Sequence, residues 1–287
     1  MGAFKNKLNY LKIMRSGYSM INKTTTVQTC LFSSKDTLIY IISVILQAFE
    51  QIIMVYRQLS KEEYSDLESR ILYEDNHILI FNKISGEIVQ GDKTGDEPLS
   101  ETLKAFIAKR DAKPGQVFMG VPHRLDRPVS GIVVFAKTSK ALERLAAMFR
   151  DGNVHKTYWA LCCNAPAVPE GELTDWMVRN EKQNKSYITR ERPDAKLARL
   201  RYRLVGHSDR YYLLEVQLLT GRHHQIRCQL SGMGCPIKGD LKYGAPRSNR
   251  DGGICLHSRK VNFIHPVSKM EIEVEAPLPA SWPSVEI

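Results

Sequence analysis

Residues 199–218 read RLRYRLVGHSDRYYLLEVQL, and this stretch is the most informative part of the sequence about the fold. Arginines alternate with apolar residues from Arg199 to Leu204, and every second residue is apolar again from Tyr212 to Leu218. A period of two is typical of strands that bury one face, and the segment GHSDR between the two runs is typical of a turn. The stretch therefore predicts an antiparallel hairpin with one face in the core and a row of arginines on the other.

Patterns on either side of this hairpin predict more strands than helices. Apolar runs with strand character occupy residues 77–81, 131–137, 156–162, 260–264 and 270–275. Helical patterns occupy residues 98–110 with Pro98 at the start, the segment after Ser139, which is predicted to cap it, and residues 221–230. Because strands and helices do not alternate, we predict an α+β fold, a single domain on a mixed, mainly antiparallel β-sheet with flanking helices.

Composition indicates a globular protein that attracts anions. The chain has 287 residues, a net charge of +10 and a hydrophobic fraction of 43%, which is enough for a real core. Excess positive charge favours polyanions such as nucleic acid, although it also serves solubility or an acidic protein partner. None of the six cysteines forms a C-x-x-C pair, so we predict reduced thiols in a cytoplasmic protein.

The N-terminal part of the chain differs from the rest. We predict that residues 1–64 are an extension outside the main fold and that residues 65–287 form the folded domain. The apolar run from Leu38 to Phe49 is shorter than the roughly 20 residues that span a bilayer. Our preferred interpretation is a dispensable extension, with Met54 as the natural start. A membrane-associated helix and a folded accessory element remain alternatives.

The segment HRLDR (123–127) places a carboxylate between two arginines, just before the apolar run 131–137. Flanking cations predict that Asp126 is ionised, and an ionised carboxylate on a loop is suited to act as a nucleophile. The commoner arrangement of such residues is a surface ion pair beside a turn.

Lys156 and Tyr158 share one face of a predicted strand. An ammonium beside a phenol ring suits a phosphate and a stacked base. The alternative is a half-buried tyrosine on an edge strand.

The segment TGRHHQIR ends at Arg227. Gly221 is predicted to open a helix, and a helix start with Arg222 suits an anion. Arg227 lies one turn further on and could direct its guanidinium at a carboxylate. The two adjacent histidines diverge by about 100 degrees on a helix, unlike zinc ligands spaced four apart, so we predict no metal.

Six segments taken in order carry a more specific signal. They are NKISGE (82–87), HRLDRPVSGIVVFAK (123–137), KTYWAL (156–161), TGRHHQIRCQL (220–230), GCPIKGDLKYG (234–244) and LHSRKVNFIHP (256–266). Together they resemble the RluA-type pseudouridine synthases, a family with enzymes that act on ribosomal and transfer RNA. The resemblance covers about residues 71–283. It departs at Ile84, Val129 and Cys235, where the family usually has Pro, Thr and His, and none of these is an expected catalytic position.

The resemblance implies a role for each candidate residue. Asp126 is expected to be the catalytic carboxylate, Arg227 to pair with it, and Tyr158 to stack on the target base and help with proton transfer. The residues expected to contact RNA or the flipped base are Arg124, Lys156, Arg222 and Leu256. A central cleft is expected to hold them.

The resemblance also implies a reaction and its partners. The expected enzyme isomerises uridines in structured ribosomal or transfer RNA, needs no cofactor or metal, and works in the cytoplasm as a monomer without an obligate protein partner. Two rivals remain open from the residues alone. One is an RNA-binding or assembly factor with vestigial catalytic residues, and the other is a hydrolase that releases free uracil.

Overall fold

A ten-stranded β-sheet runs through the part of the chain that the computed structural model describes, residues 56–113 and 115–287. In chain order the strands are β1 (Ile71–Glu74), β2 (Ile78–Lys83), β3 (Ser130–Ala136), β4 (Val154–Cys162), β5 (Glu170–Asn180), β6 (Lys185–Thr189), β7 (Lys196–His207), β8 (Tyr212–Leu218), β9 (Leu256–Ile264) and β10 (Glu271–Glu275). Their order across the sheet is β1-β2-β3-β9-β4-β8-β7-β5-β6, with β10 paired to β9. Only the β3–β9 pairing is parallel within the described residues, so the predicted mixed, mainly antiparallel sheet is confirmed.

The hairpin predicted from the period of two is present as β7 and β8. Leu200 lies opposite Leu218 in register, and both Leu200 and Leu214 are fully buried. The arginines of β7 lie on the exposed face, as the alternation requires. This hairpin forms the middle of the sheet and supports one side of the candidate site.

Four α-helices and one short 3-10 helix accompany the sheet in the described residues. They are α1 (Lys61–Ser69), α2 (Leu99–Arg110), α3 (Ser139–Arg150), α4 (Gln225–Gly232) and the 3-10 helix Leu241–Tyr243. Helix α2 begins after Pro98 and buries its predicted apolar face. The predicted cap of α3 is wrong by one residue, because the side chain of Thr138, not Ser139, accepts the hydrogen bond from the Ala141 N–H at 3.2 Å.

Helix α4 begins later than predicted. The sequence predicted a start at Gly221, but Thr220 and Arg222 are bound to β7 instead. The Gln225 side chain donates to the Arg199 carbonyl oxygen at 2.9 Å, and His224 has a left-handed φ of 53°. The predicted anion site at a helix N-terminus beginning at Gly221 is therefore wrong.

Residues 56–64, which the sequence assigned to the extension, pack with the rest of the described unit. The hydroxyl of Tyr56 accepts a hydrogen bond from the Val117 N–H at 2.7 Å, and Leu59 lies in the main hydrophobic cluster. Ser60 caps α1 in a capping box with Glu63. The apolar run 38–49 lies outside the described residues, and within 56–113 and 115–287 no helix is long and apolar enough to cross a membrane.

The parallel pairing of β3 with β9 positions the candidate site. Ser130 and Gly131 of β3 pair with His257 and Ser258 of β9. Gly131 has a φ of 105°, and a side chain there would overlap the Ser258 backbone, whose nitrogen would lie at 2.6 Å. The two backbones can approach only because residue 131 is glycine. This contact holds the loop of Asp126 close to the start of β9.

Candidate active site

The loop that carries Asp126 is fixed through its own carbonyl oxygens. The backbone oxygen of Asp126 accepts from the Val129 N–H at 3.0 Å. The oxygens of the next two residues accept from the N–H groups of Gly86 and Ile254 at 2.9 and 3.0 Å. These partners come from segments before and after the loop in sequence, so the loop takes its shape only in the assembled fold.

Lys83, the last residue of β2, binds the same loop from the protein interior. Its side chain is fully buried. Its ammonium donates to four carbonyl oxygens, those of Val129 at 2.6 Å, Ile84 at 3.0 Å, Arg127 at 3.1 Å and Asp126 at 3.4 Å. Burial lowers the pKa of Lys83 to about 8, against the opposing charges of Glu87 and Asp126. The carbonyl oxygens favour the charged form, so at neutral pH Lys83 is a buried cation that binds the backbone of the Asp126 loop.

Arg227, on α4, joins Asp126 to a second carboxylate. Its Nη1 lies 3.2 Å from Oδ2 of Asp126. Its Nε and Nη2 donate to the two oxygens of Asp240 at 2.6 and 2.9 Å. The side chains of Arg227 and Asp240 are 6% and 1% exposed, whereas that of Asp126 is 32% exposed. Asp126 is therefore the member of this triad that a ligand can reach.

The bidentate contact with Asp240 determines how Arg227 meets Asp126. Burial acts to lower the pKa of Arg227, but the hydrogen bonds and charges of Asp240 and Asp126 outweigh it and raise that pKa. The guanidinium is planar, so two bonds to one carboxylate fix the plane and the direction of the remaining nitrogen. Arg227 thus presents a permanent, oriented charge to Asp126.

The two arginines next to Asp126 in sequence do not contact it. Arg127 pairs with Asp96. Arg124 is exposed and makes no hydrogen bond or ion pair with any described residue. The cation in contact with Asp126 is instead Arg227, which lies 101 positions away in the sequence.

His224 makes a further contact with Asp126 that the sequence did not predict. Its Nε2 lies 3.3 Å from Oδ2 of Asp126, and its Nδ1 lies 3.0 Å from the Tyr243 hydroxyl. Burial, followed by the positive charges of its neighbours, lowers the pKa of His224 to about 2, so the ring is neutral. His224 therefore places a neutral ring against Asp126 and is oriented by its contact with Tyr243.

His123, the histidine of the HRLD segment, helps to hold the Asp126 loop in place. His123 accepts a hydrogen bond from the Val134 N–H at 2.9 Å, and its ring stacks on Phe149 with centroids 4.1 Å apart. Burial lowers its pKa to about 3. His123 is neutral and ties the Asp126 loop to β3 and α3.

Tyr158 and Leu256 contribute an apolar surface. Tyr158 is 6% exposed and Leu256 is 4% exposed, and both belong to the same buried cluster as Leu125. Burial raises the pKa of Tyr158 to about 12, and the charge of Asp126 acts in the same direction while Ser258 opposes it. The phenol is therefore neutral and can offer a ring face and a proton.

The other predicted RNA-contacting residues lie apart from Asp126. The ammonium of Lys156 lies 5.5 Å from the ring centroid of Phe149 and 4.0 Å from the point that a Cβ on Gly221 would occupy. Arg222 is exposed, but its Nε donates to the Leu197 carbonyl oxygen at 2.8 Å. Neither side chain forms a hydrogen bond or an ion pair with Asp126 in the described part of the chain.

Sequence reasoning gave no role to four residues that shape this site, namely Lys83, His224, Asp240 and Tyr243. Asp240 and Tyr243 lie in the segment GCPIKGDLKYG, which contributes to the resemblance without an expected role for either residue. The available signals were a lysine that closes the apolar run ILIFNK and the fixed spacing of GD-x-x-YG. Neither pattern states which partner each side chain meets.

The arrangement combines groups suited to chemistry at a sugar–base bond. A partly exposed carboxylate is held by a buried guanidinium and a neutral imidazole. A neutral tyrosine and two buried leucines form an apolar wall. Such a carboxylate can add to, or withdraw a proton beside, an electron-poor carbon, while the wall holds a flat ring away from water.

Comparisons with known proteins identify the family of this chain. A family model described as RNA pseudouridylate synthase matches residues 77–232. Ribosomal large subunit pseudouridine synthase C of Vibrio cholerae is 34% identical over 222 residues, which are 75% of this chain and 68% of that protein. Ribosomal large subunit pseudouridine synthase D of Zymomonas mobilis is 29% identical over 227 residues, 76% of this chain and 71% of that protein.

A solved structure shows a similar fold. Human RNA pseudouridylate synthase domain containing 4 superimposes with a TM-score of 0.64 at 24% identity, covering 76% of this chain and 91% of that chain. At this identity the likeness supports the fold alone.

Replacing Lys83 by methionine is expected to loosen the Asp126 loop. The change removes a donor from four carbonyl oxygens. Those of Asp126 and Arg127 keep their backbone donors, whereas those of Ile84 and Val129 have no backbone donor among the described residues, and each buried oxygen left without a partner costs about 1–3 kcal/mol. Chemical denaturation should give a clear loss of stability at neutral pH. Lys104→Met, which removes a surface lysine paired with Glu101, is the matched control and should have little effect.

The pH dependence of stability distinguishes a buried Lys83 charge from simple packing of its side chain. The folded pKa of Lys83 is about 8, below its ordinary value of 10.5. Between these values the unfolded chain binds the proton that the folded protein has lost, so this group's contribution to stability rises with pH. The stability of wild type relative to Lys83→Met should therefore increase from about pH 8 to about pH 10. A difference that is constant with pH would contradict a buried charge at this position.

Proposed function

This chain belongs to the RNA pseudouridylate synthase family and is an RNA pseudouridine synthase, and we propose that Asp126 is its catalytic carboxylate. The observation that carries the proposal is the contact of Asp126 with Arg227, whose guanidinium is in turn bound by the buried Asp240. A cation fixed in this way orients the carboxylate, as catalysis at a ribose requires.

The reaction conserves all atoms of the uridine. The bond between the ribose C1′ and N1 of uracil breaks, the detached base rotates, and a bond forms between C1′ and C5. The proton leaves C5, and N1 gains a proton. Asp126 either adds to C1′ or removes a proton from the ribose to give a glycal. Both routes need an ionised Asp126 next to the sugar, and neither needs a metal or a redox cofactor.

Tyr158 is proposed to hold the target base and assist proton transfer. A uridine within an RNA fold must leave its stack, which costs a few kcal/mol. Stacking on an aromatic ring returns about 1–3 kcal/mol. Because the Tyr158 hydroxyl stays protonated, it can also donate or relay a proton near C5.

Four further residues are proposed to contact the RNA or the flipped base. Arg124 is exposed and has no partner among the described residues, which suits insertion into RNA beside the flipped nucleotide. Leu256 is proposed to pack near the base. Lys156 and Arg222 are proposed to contact the RNA at the periphery.

The proposed substrate is structured ribosomal RNA, with transfer RNA as the second candidate. The support is that several similar proteins are named ribosomal large subunit pseudouridine synthases. We further propose that the enzyme works in the cytoplasm as a monomer and that its catalytic domain includes residues 65–287. The five cysteines in the described residues are free thiols, which agrees with a reducing compartment.

Asp126→Asn is expected to abolish pseudouridine formation while RNA affinity persists. Removing the catalytic carboxylate should lower turnover by more than about 10³-fold. The measurement is carbodiimide labelling and reverse-transcription stops on RNA treated with purified protein, together with a binding titration. Asp96→Asn removes a neighbouring exposed carboxylate paired with Arg127, and this control should retain activity.

Three outcomes would contradict the proposal. Full turnover by a clean preparation of Asp126→Asn would reject Asp126 as the catalytic group. Release of free uracil by wild type would favour a hydrolase. Binding without any stop, in wild type as well as in the variant, would favour an RNA-binding factor.

Tyr158→Phe separates stacking from proton transfer. The ring face is kept and the hydroxyl is lost, so the affinity for substrate RNA should be unchanged. A proton-transfer role predicts a single-turnover rate that falls by about 10²-fold or more. An unchanged rate would show that Tyr158 acts only as a platform.

A further inference from the structure

Each arginine of the row that the sequence emphasises is paired with a carboxylate in the structure. Arg199 and Arg201 both pair with Glu172, at 2.6 and 3.1 Å, and Arg203 pairs with Glu215 at 3.1 Å. Cations already paired in this way release fewer counterions when a polyanion binds. The exposed face of β7 is therefore a poor candidate for the RNA surface.

A second group of cations has no carboxylate partner within the described part of the chain. It comprises Arg179 and Lys182, at and beside the turn between β5 and β6, and Lys242 on the 3-10 helix. We call these three residues the cationic rim. Arg179 donates to Oδ1 of Asn184 at 3.4 Å, and Lys242 donates to the Asn184 carbonyl oxygen at 3.1 Å. These partners are neutral, so both charges remain available to an anion.

The sheet register directs Arg179 toward the candidate active site. Arg179 lies opposite Ser186 in the β5–β6 pair, and directly opposed residues share one face of a sheet. The Ser186 hydroxyl lies 2.9 Å from Nδ1 of His223. Arg179 and His223 therefore lie on the same side of this hairpin, and both contact Oδ1 of Asn184.

A short chain of contacts connects the rim to Asp126. The ring of His223 stacks on that of His224, with centroids 3.8 Å apart, and His224 contacts Asp126 at 3.3 Å. The charges of Lys242 and Arg179 reach His224, where they add to burial and to Arg227 in lowering its pKa. The side chains of His223 and His224 thus connect the rim to the catalytic carboxylate.

We propose that the cationic rim binds backbone phosphates of the RNA next to the target uridine and holds the strand while the base is flipped toward Asp126. This inference rests on the proposed function, since it assumes that the flipped nucleotide meets Asp126. Phosphate contacts carry no sequence information and set the position of the strand. The rim therefore fixes where along the RNA the enzyme docks, while the choice of uridine depends on RNA shape.

The test compares two double variants with the same change of net charge. Arg179→Gln with Lys242→Gln removes two rim charges. Arg201→Gln with Arg203→Gln removes two paired arginines of β7 and serves as the matched control. Dissociation constants for a substrate RNA fragment are measured across a range of salt concentrations, with circular dichroism and thermal melting as folding checks.

The rim variant should bind about tenfold more weakly at low salt, with a slope of log K against log salt smaller by about 1.4–1.8, the amount for two phosphate contacts. The control should keep the wild-type slope. A wild-type slope in the rim variant, or an equal loss in the control, would overturn the inference. If the double variant does not fold, Lys242→Gln alone should show half the change of slope.

Failure of the proposed function would look different. A wild type that forms no pseudouridine, combined with a reduced slope in the rim variant, would reject the activity and keep the rim as an RNA-binding surface. An active wild type with an unchanged slope in the rim variant would reject the rim alone.

Discussion

The buried ion pair of Arg227 and Asp240 is the constraint on which the site depends. Both side chains are almost completely removed from solvent, and the cost of taking two charges out of water consumes much of their mutual attraction. The pair therefore contributes mainly by orienting the Arg227 guanidinium, and only little by stabilising the fold. Two hydrogen bonds to Asp240 fix the guanidinium plane, and the third contact of Arg227 then falls on Asp126.

Contacts made by the backbone also fix the position of the Asp126 loop. Lys83 binds the carbonyl oxygens of the Asp126 loop, and Gly131 allows β3 to lie directly against β9. The groups that position Asp126 come from β2, from β3 and from the segment around α4. None of them can be in place until the sheet has formed, so catalytic geometry and folding are coupled in this protein.

Much of the fold could be predicted from local patterns, because those patterns reflect burial of single faces. The period of two identified β7 and β8, and Pro98 with its apolar stripe identified α2. The start of α4 could not be predicted, since Thr220 and Arg222 form hydrogen bonds with β7 ahead of the helix. The pairing of Asp126 with Arg227 was expected only from family resemblance. The roles of Asp240 and His224 depend on contacts between distant segments, which sequence spacing does not report.

The most direct test of this account is a double-mutant cycle between Asp240→Asn and Arg227→Gln, measured as the single-turnover rate of pseudouridine formation at saturating RNA. If Asp240 acts on the chemistry only by orienting Arg227, each single change should slow the reaction, and the double variant should be no slower than Arg227→Gln alone. If the two losses multiply, Asp240 acts independently of Arg227, and the proposed chain from Asp240 through Arg227 to Asp126 is contradicted.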